Sequence, residues 1–388
     1  MISLLSKIFL HKCGQNNPVK QRSIYGIVCS ITGIFLNILL FAGKYIAGLL
    51  SGSIAITADA FNNLSDAGSS FITLIGFKFS GMKPDHEHPF GHGRVEYIAG
   101  FTVSVLIILM GFELAKSSIN KIIHPADTKM GMLSIIILII SICVKLYMAY
   151  YNKKIGDKIN SATMAAAAID SLSDSIATSV VLLSAFIAKI TTFNPDGWCG
   201  ILVSVFILYA GYSAAKDTLN PLLGQAPSAE FVKSIENIVM SYDNVKGLHD
   251  LIVHDYGPGR IMISLHAEVP GDKDIYELHD TIDCIEREIG SKLCCEAVIH
   301  MDPIEYNNAA VIEMRKKLEM HIKNFDSVIT IHDFRMIQGS THTNLIFDAV
   351  IPPDYRLSPE STKTALEAIV HENFENCIAV IKIDMAYI

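Results

Sequence analysis

The chain divides by its hydrophobic pattern into an apolar first half and a mixed second half. From about residue 24 to residue 217, long apolar runs alternate with short polar breaks, whereas later residues resemble those of a soluble protein. Several runs reach the ~20 residues that an α-helix needs to cross a ~30 Å hydrocarbon layer. The six predicted membrane segments are Ile24–Leu50, Ser53–Phe79, Val95–Ala115, Gly131–Tyr151, Thr163–Ile190 and Trp198–Ala215. The second and fifth segments are the least hydrophobic.

The second half contains an internal repeat. The segment from Gly247 to Pro270 aligns with the segment from Thr330 to Pro352. Each copy follows one amphipathic stretch, precedes another and ends in a short strand-like run. This order predicts a duplicated unit with a three-stranded sheet. The predicted fold class is therefore an α-helical membrane domain followed by cytosolic α+β domains of the ferredoxin-like kind. The predicted domains are a cytosolic segment at 1–22, a membrane domain at 23–220, and α+β domains at 221–306 and 307–388.

Composition supports a protein embedded in a lipid bilayer. Hydrophobic residues make up 51% of the chain and charged residues only 18%. The net charge of −8 argues against a nucleic-acid partner. The eight cysteines show no CxxC pairing, which is typical of reduced thiols in the cytosol.

Basic residues predict the orientation of the chain in the membrane. Loops on the cytosolic side are enriched in Lys and Arg. The N-terminal segment and the loops after the second and fourth predicted helices are the basic ones, and they hold Lys7, Lys12, Lys20, Arg22, Lys78, Lys83, Arg94, Lys153, Lys154 and Lys158. We therefore expect a multi-pass plasma-membrane protein with both termini in the cytosol.

Two of the predicted membrane helices each contain a pair of oxygen ligands one turn apart. Asn62 precedes Asp66 by four residues, and Asp170 precedes Asp174 by the same spacing. A carboxylate at mid-bilayer costs roughly 2.5 kcal/mol or more. An ion pair with Lys44 would neutralise one carboxylate but not three, and Lys145 is the other basic residue near these segments. The pattern favours a divalent-metal site shared by the two helices.

Two further groups of residues are competent to bind metal. Asp85, His88 and His92 follow the second helix and form either an ordinary polar loop or a second metal site. The first α+β copy holds a larger group, made of His249, Asp250, His266, His279, His300 and Asp302. The second copy has Asp348 and Lys382 where the first has His266 and His300. Because a lysine offers no lone pair at neutral pH, we do not expect a metal at that place in the second copy.

From residue 20 to residue 304, the chain resembles the cation diffusion facilitators, a family of proton-coupled exporters of divalent metals. The matching motifs are Asp59-Ala-Phe-Asn-Asn-Leu-Ser-Asp66, Phe90-Gly-His-Gly-Arg94, Asp170-Ser-Leu-Ser-Asp174 and the histidine-rich α+β domain. The resemblance implies a six-helix antiporter that forms a homodimer. It assigns the transport site to Asn62, Asp66, Asp170 and Asp174, the loop site to Asp85, His88 and His92, and a dimer-interface site to the first α+β copy.

The chain departs from the family pattern in two ways: in the ligands of its transport site and in the presence of an extra domain. Zinc-exporting members typically have histidine in the fifth-helix pair and often in the second-helix pair, where this chain has Asp170 and Asn62. Carboxylate and carbonyl oxygens suit Mn²⁺ better than Zn²⁺. The resemblance therefore favours the manganese-exporting branch, with Fe²⁺ or Zn²⁺ as alternative cargo. Residues from about 310 to 388 are a domain that most members lack.

Other functional classes have less support in the sequence. An enzyme of the membrane would need a motif such as HExxH, or a nucleophile beside a base within the membrane, and we find neither. No cofactor is expected beyond the transported or regulatory metal and the exchanged protons. A membrane metal sensor that does not transport remains an alternative, although it would be expected to have lost the intramembrane ligands.

Overall fold

The computed structural model describes residues 18–51, 54–124, 132–190, 196–305, 308–339 and 341–385. Most of the N-terminal segment predicted at 1–22 lies outside these residues, as do Ser53 and Gly131, which begin two of the predicted membrane segments. The described residues form two compact units. One contains the residues up to Gln225 together with Asp255–Arg260, and the other contains Ala226–His254 and the residues from Ile261 onward.

Long apolar helices build the first unit. They are α1 (Pro18–Ser51), α2 (Ile54–Ser80), α3 (Val95–Ile123), α4 (Met132–Ile159), α5 (Ala162–Ile190) and α6 (Asp196–Leu223). Five of these helices are long and apolar enough to cross a membrane; α2 is not among them. The most apolar stretch of α5 has a mean hydropathy of 1.4, the lowest of the five. The sequence thus correctly predicted that the two acid-bearing helices would be the least hydrophobic.

Close packing of α3 against α6 depends on glycine. A Cβ atom added to Gly111 would lie 2.9 Å from Leu208, and one added to Gly211 would lie 2.8 Å from Ile108. Small residues of this kind let helix backbones approach closely within a bilayer, where packing replaces the hydrophobic effect as the main attraction. These two glycines therefore allow α3 and α6 to lie together without displacing their neighbours.

The second unit begins with a mixed three-stranded sheet and its helices, which we call the first copy. It consists of α7 (Ala229–Val239), β1 (Gly247–Asp255), β2 (Ile261–Pro270), α8 (Ile275–Leu293) and β3 (Cys295–Ile304). The strand order is β1-β2-β3, and β2 runs parallel to β3. Side chains from both helices and from the sheet form one core, in which Ile235, Leu265 and Ile285 are almost fully buried.

The second copy repeats this topology. It consists of α9 (Ala309–Phe325), β4 (Thr330–Gln338), β5 (Thr343–Ile351), α10 (Pro359–Asn373) and β6 (Cys377–Met385). The strand order is β4-β5-β6, with β5 parallel to β6, and a separate core is built around Leu318, Phe347 and Leu366. The predicted fold class, apolar helices followed by tandem α+β domains, is therefore confirmed.

Backbone details repeat between the two copies. Asp250 and Asp333 both adopt a left-handed φ of 51°, each one residue after a histidine. A bulge follows in β4, where the register shifts between His332 and Arg335. A bulge alters the direction of the side chains next to it. The same left-handed φ at Asp250 and Asp333 shows that the duplication includes the His-Asp pair as well as the strands.

Candidate metal centres

Three carboxylates meet inside the helical unit. Asp66 lies on α2, and Asp170 and Asp174 lie on α5; one oxygen from each lies within 4.8 Å of the other two. Asp66 and Asp170 are buried, and the Asp174 side chain is 16% exposed. The four-residue spacing on α5 places both of its acids on one helix face. The structure thus brings together three of the four side chains that the sequence assigned to an intramembrane site.

A lysine from a third helix lies between two of these carboxylates. The Nζ atom of Lys145, on α4, donates to Asp66 Oδ2 and to Asp174 Oδ2, both at 2.6 Å. Its side chain is only 3% exposed. The sequence shows Lys145 as one of two basic residues near these segments, but it does not predict that Lys145 contacts both Asp66 and Asp174. The described cluster is therefore an ionic group made of three acids and one ammonium.

The two neighbouring asparagines of α2 lie in different environments. The Asn62 side chain is exposed, whereas Asn63 is buried and its Nδ2 donates to Asp66 Oδ2 at 3.3 Å. Both residues lie within one turn of Asp66, so spacing alone does not separate them. Of the two asparagines, Asn63 is thus the one that contacts Asp66 beside Lys145, whereas the Asn62 side chain is exposed. One oxygen of the cluster, Asp170 Oδ1, is buried without a hydrogen-bond partner among the described residues.

The loop between α2 and α3 brings together its three predicted ligands. Asp85 Oδ1 lies 3.5 Å from His88 Nδ1, and Asp85 Oδ2 lies 3.4 Å from His92 Nε2. The backbone N–H of His88 donates to Asp85 at 2.7 Å, and this bond is the main cause of the lowered pKa of the Asp85 carboxyl. The carboxylate is therefore charged at neutral pH. This group is more exposed than the intramembrane cluster.

In the first copy, three of the predicted ligands form a compact group. His249 Nε2 lies 3.2 Å from Asp302 Oδ2, and His266 Nδ1 lies 2.8 Å from the same oxygen. His300 lies at the rim, with Nε2 3.4 Å from Asp302 Oδ1 and 67% of its side chain exposed. Burial and the neighbouring His332 lower the pKa of His249, which favours the neutral imidazole that a metal requires.

Two other predicted ligands of the first copy lie outside this group. His279 belongs to none of the close groups of ligands found among the described residues. It lies on α8 with 65% of its side chain exposed, and its Nδ1 is 3.6 Å from Asp283. Asp250 approaches His249, at 3.8 Å, and also reaches toward the second copy.

Comparison with known proteins identifies the family. Residues 30–223 match the model of the cation efflux transmembrane domain, and residues 227–304 match that of the cation efflux protein cytoplasmic domain. The chain belongs to the cation diffusion facilitator family. It is therefore a transporter and not an enzyme. The family match covers the helical unit and the first copy, and both matches end before the second copy begins.

Relatives from distant organisms align with about 70% of this chain. An uncharacterized transporter of Methanocaldococcus jannaschii is 31% identical over 72% of this chain and 98% of its own length. A protein of Bacillus velezensis named cadmium, cobalt and zinc/H⁺-K⁺ antiporter is 27% identical over 71% of this chain and 88% of its own length. The cation-efflux pump FieF of Shewanella oneidensis is 24% identical over 68% of this chain and 88% of its own length. These names support a multi-pass membrane exporter of divalent metal cations.

Proposed function

We propose that this protein exports Mn²⁺ from the cytosol in exchange for protons, and that the transport site is formed by Asn62, Asp66, Asp170 and Asp174. The observation that carries the proposal is the meeting of three carboxylates from two membrane helices within 4.8 Å. Octahedral ligands about 2.1 Å from a metal lie no more than about 4.2 Å apart, so small movements would suffice to bind one ion.

Charge balance supports a divalent cargo. Three ionised carboxylates and the Lys145 ammonium together leave two negative charges, which one divalent cation neutralises. The ammonium lies 2.6 Å from two of the oxygens that would bind the metal, so metal entry must move it out of direct contact. We infer that Lys145 compensates part of the charge of the empty site, and that it moves aside when the cargo binds but stays close enough for its charge to count in this balance.

Proton coupling follows from the same ligands. A carboxylate must be deprotonated to bind metal, and binding from the cytosol would therefore release any protons that the site holds. On the opposite side, protons that replace the metal would restore the compensated state. Alternating access around a fixed midplane site is the usual arrangement for such carriers. The Bacillus velezensis relative, whose name includes proton exchange, supports this coupling.

Ligand chemistry supports manganese as the first candidate. The described cluster offers only carboxylates, and the amide of Asn62 would add a further oxygen. Zn²⁺ favours nitrogen and sulfur ligands, whereas Mn²⁺ suits carboxylate and carbonyl oxygens. Export of Fe²⁺ or Zn²⁺ is the second candidate, and zinc is favoured by the name of the Bacillus velezensis relative.

We also propose a membrane location, an oligomeric state and two additional metal sites for this protein. The proposed location is the plasma membrane, with both termini in the cytosol. The cytoplasmic domain matched at residues 227–304 supports the cytosolic location of that region, and its family role in dimer formation supports a homodimer. The loop group of Asp85, His88 and His92 and the His-rich group of the first copy are proposed as additional metal sites. A sensor without transport is disfavoured because the intramembrane acids are present.

The test is metal uptake into proteoliposomes with an imposed pH gradient. Mn²⁺, Fe²⁺ and Zn²⁺ are compared for the wild-type chain and for Asp174→Asn, with Asp157→Asn as a matched control because Asp157 is an exposed acid on α4. We expect Mn²⁺ to be preferred and Asp174→Asn to lower uptake by more than about 100-fold, since even outer-shell partners of metal ligands are worth 10- to 100-fold. Equal fluxes of Mn²⁺ and Zn²⁺ would refute the manganese assignment, and gradient-independent uptake would refute proton exchange.

A further inference from the structure

A further group of metal-competent side chains lies between the two α+β copies. Three of its four residues come after residue 304, where the family match ends. This group joins Asp250 of the first copy to His332, Asp348 and Asp384 of the second. One ligand atom from each residue lies within 4.8 Å of the other three. All four residues are partly buried, and the Asp348 and Asp384 side chains are 18% and 20% exposed.

The three ligands from the second copy occupy the positions of the metal-competent group in the first. The repeat aligns His332 with His249, Asp348 with His266 and Asp384 with Asp302. Strand register supports these equivalences, because His266 pairs with His300 across β2 and β3 as Asp348 pairs with Lys382 across β5 and β6. Both copies therefore direct ligands to the same place in the fold.

The two groups adjoin each other. The imidazole rings of His249 and His332 stack with their centroids 4.0 Å apart. Asp250 lies beside both rings, with Oδ2 3.8 Å from His249 Nδ1 and Oδ1 3.7 Å from His332 Nε2. The left-handed backbone at Asp250 accompanies this shared position. One carboxylate thus connects the ligand groups of the two copies.

Buried imidazoles without hydrogen bonds point to a missing ligand. The His249 side chain is only 8% exposed, and its Nε2 lies 3.2 Å from Asp302 Oδ2, yet neither ring nitrogen makes a hydrogen bond of good geometry to the described residues. The side chain of His332 is 12% exposed, and its two ring nitrogens also make no hydrogen bond to the described residues. Leaving a buried polar group unsatisfied costs about 1–3 kcal/mol. Buried imidazole nitrogens that lie next to carboxylates and make no hydrogen bond are the arrangement that a divalent cation satisfies.

We propose that Asp250, His332, Asp348 and Asp384 bind a divalent cation between the two copies, so that the second copy acts as a built-in partner of the first. Three carboxylates and one imidazole form a harder ligand set than the His249, His266 and Asp302 group. Such a set favours Mn²⁺ or Fe²⁺ over Zn²⁺. The proposal reverses the expectation from sequence that the second copy binds no metal at this place, and it does not depend on the transport mechanism.

Lys382, the residue behind that expectation, lies at the edge of the site. Its Nζ is 3.0 Å from Asp384 and 3.7 Å from Asp348, but 63% of its side chain is exposed. An exposed lysine on a flexible stem can move into water when a metal arrives. Lys382 therefore competes with the metal for the two carboxylates without closing the site.

The test counts Mn²⁺ bound to the full-length protein in detergent by electron paramagnetic resonance, which distinguishes free from bound ions. The double variant Asp348→Asn with Asp384→Asn is expected to bind one Mn²⁺ fewer per chain than the wild type. Asp354→Asn is the matched control, because Asp354 is an exposed acid of the same copy, and it is expected to leave the count unchanged.

A second variant acts in the opposite direction. Lys382→Met is expected to tighten binding at this site about tenfold, the size expected for removing one positive charge about 5 Å from a divalent ion at a dielectric close to that of water. Misfolding would not tighten binding. An unchanged Mn²⁺ count in the double variant, an equal loss in the Asp354→Asn control, or unchanged affinity in Lys382→Met would each overturn the proposal.

Discussion

Lys145 and Lys382 each pair with two carboxylates of a candidate metal cluster, yet their surroundings differ greatly. The Lys145 side chain is 3% exposed among membrane helices, whereas that of Lys382 is 63% exposed at the edge of a sheet. Breaking a buried ion pair typically costs about 3–5 kcal/mol, while exposed pairs are worth about 0–1 kcal/mol. The same residue type is therefore an integral part of one cluster and a removable competitor in the other.

Replacing the buried lysine is expected to have the largest effect. Lys145→Met leaves Asp66 and Asp174 without their 2.6 Å partner, so the metal-free protein should lose about 3–5 kcal/mol of stability. Added Mn²⁺ should restore much of this loss, because it supplies the missing positive charge. The measurement is thermal unfolding of the detergent-solubilised protein with and without Mn²⁺. If Mn²⁺ stabilises the wild type and the variant equally, Lys145 does not compensate the charge of the empty site.

The asparagines of α2 allow a finer test of the intramembrane cluster. Asn63→Ala removes one of the two donors to Asp66 and should lower uptake of all metals about tenfold, as expected for the loss of an outer-shell partner. Asn62→Ala removes a proposed oxygen ligand and should change the ratio of Mn²⁺ to Zn²⁺ uptake. Parallel uptake assays with the two metals separate these effects. A changed metal ratio in Asn63→Ala alone would assign the ligand role to Asn63.

Sequence reasoning located the intramembrane acids because helical spacing and hydropathy are local properties. It did not predict the contacts of Lys145, since these depend on how α4 packs against α2 and α5. Asn62 and Asn63 were not separable for a related reason: the rotation of α2 about its axis decides which of them is buried, and spacing does not fix that rotation.

The ligand group shared by the two copies was not predicted from sequence, for a different reason. Alignment of the two copies showed that Asp348 and Lys382 replace His266 and His300, two potential metal ligands of the first copy. It could not reveal that Asp250, from the first copy, approaches His332 at 3.7 Å. A ligand set shared between duplicated domains becomes visible only when both domains are placed together. The repeated left-handed aspartates are the local feature that accompanies this arrangement.

The exposed lysine should have little influence on folding. Lys382→Met is expected to change the free energy of unfolding by less than about 1 kcal/mol, in contrast to Lys145→Met, because an exposed ion pair is largely compensated by water. Thermal unfolding of the wild type, Lys382→Met and Lys145→Met in metal-free buffer compares the stability lost in each variant. A loss of stability similar to that of Lys145→Met would mean that exposure does not distinguish the two lysines.

The loop between α2 and α3 extends the comparison to a cluster whose carboxylate pairs with histidines. Asp85 lies 3.5 Å from His88 and 3.4 Å from His92, and its side chain is 49% exposed. Asp85→Asn should weaken metal binding at the loop but reduce Mn²⁺ uptake by less than about fivefold, because exposed charge pairs contribute little. Uptake by Asp85→Asn is compared with that of the exposed loop variant Glu87→Gln, which should behave as the wild type. If Asp85→Asn lowers Mn²⁺ uptake as much as Asp174→Asn does, the cargo must pass through the loop site. The expectation that an exposed carboxylate contributes little to transport would then be wrong.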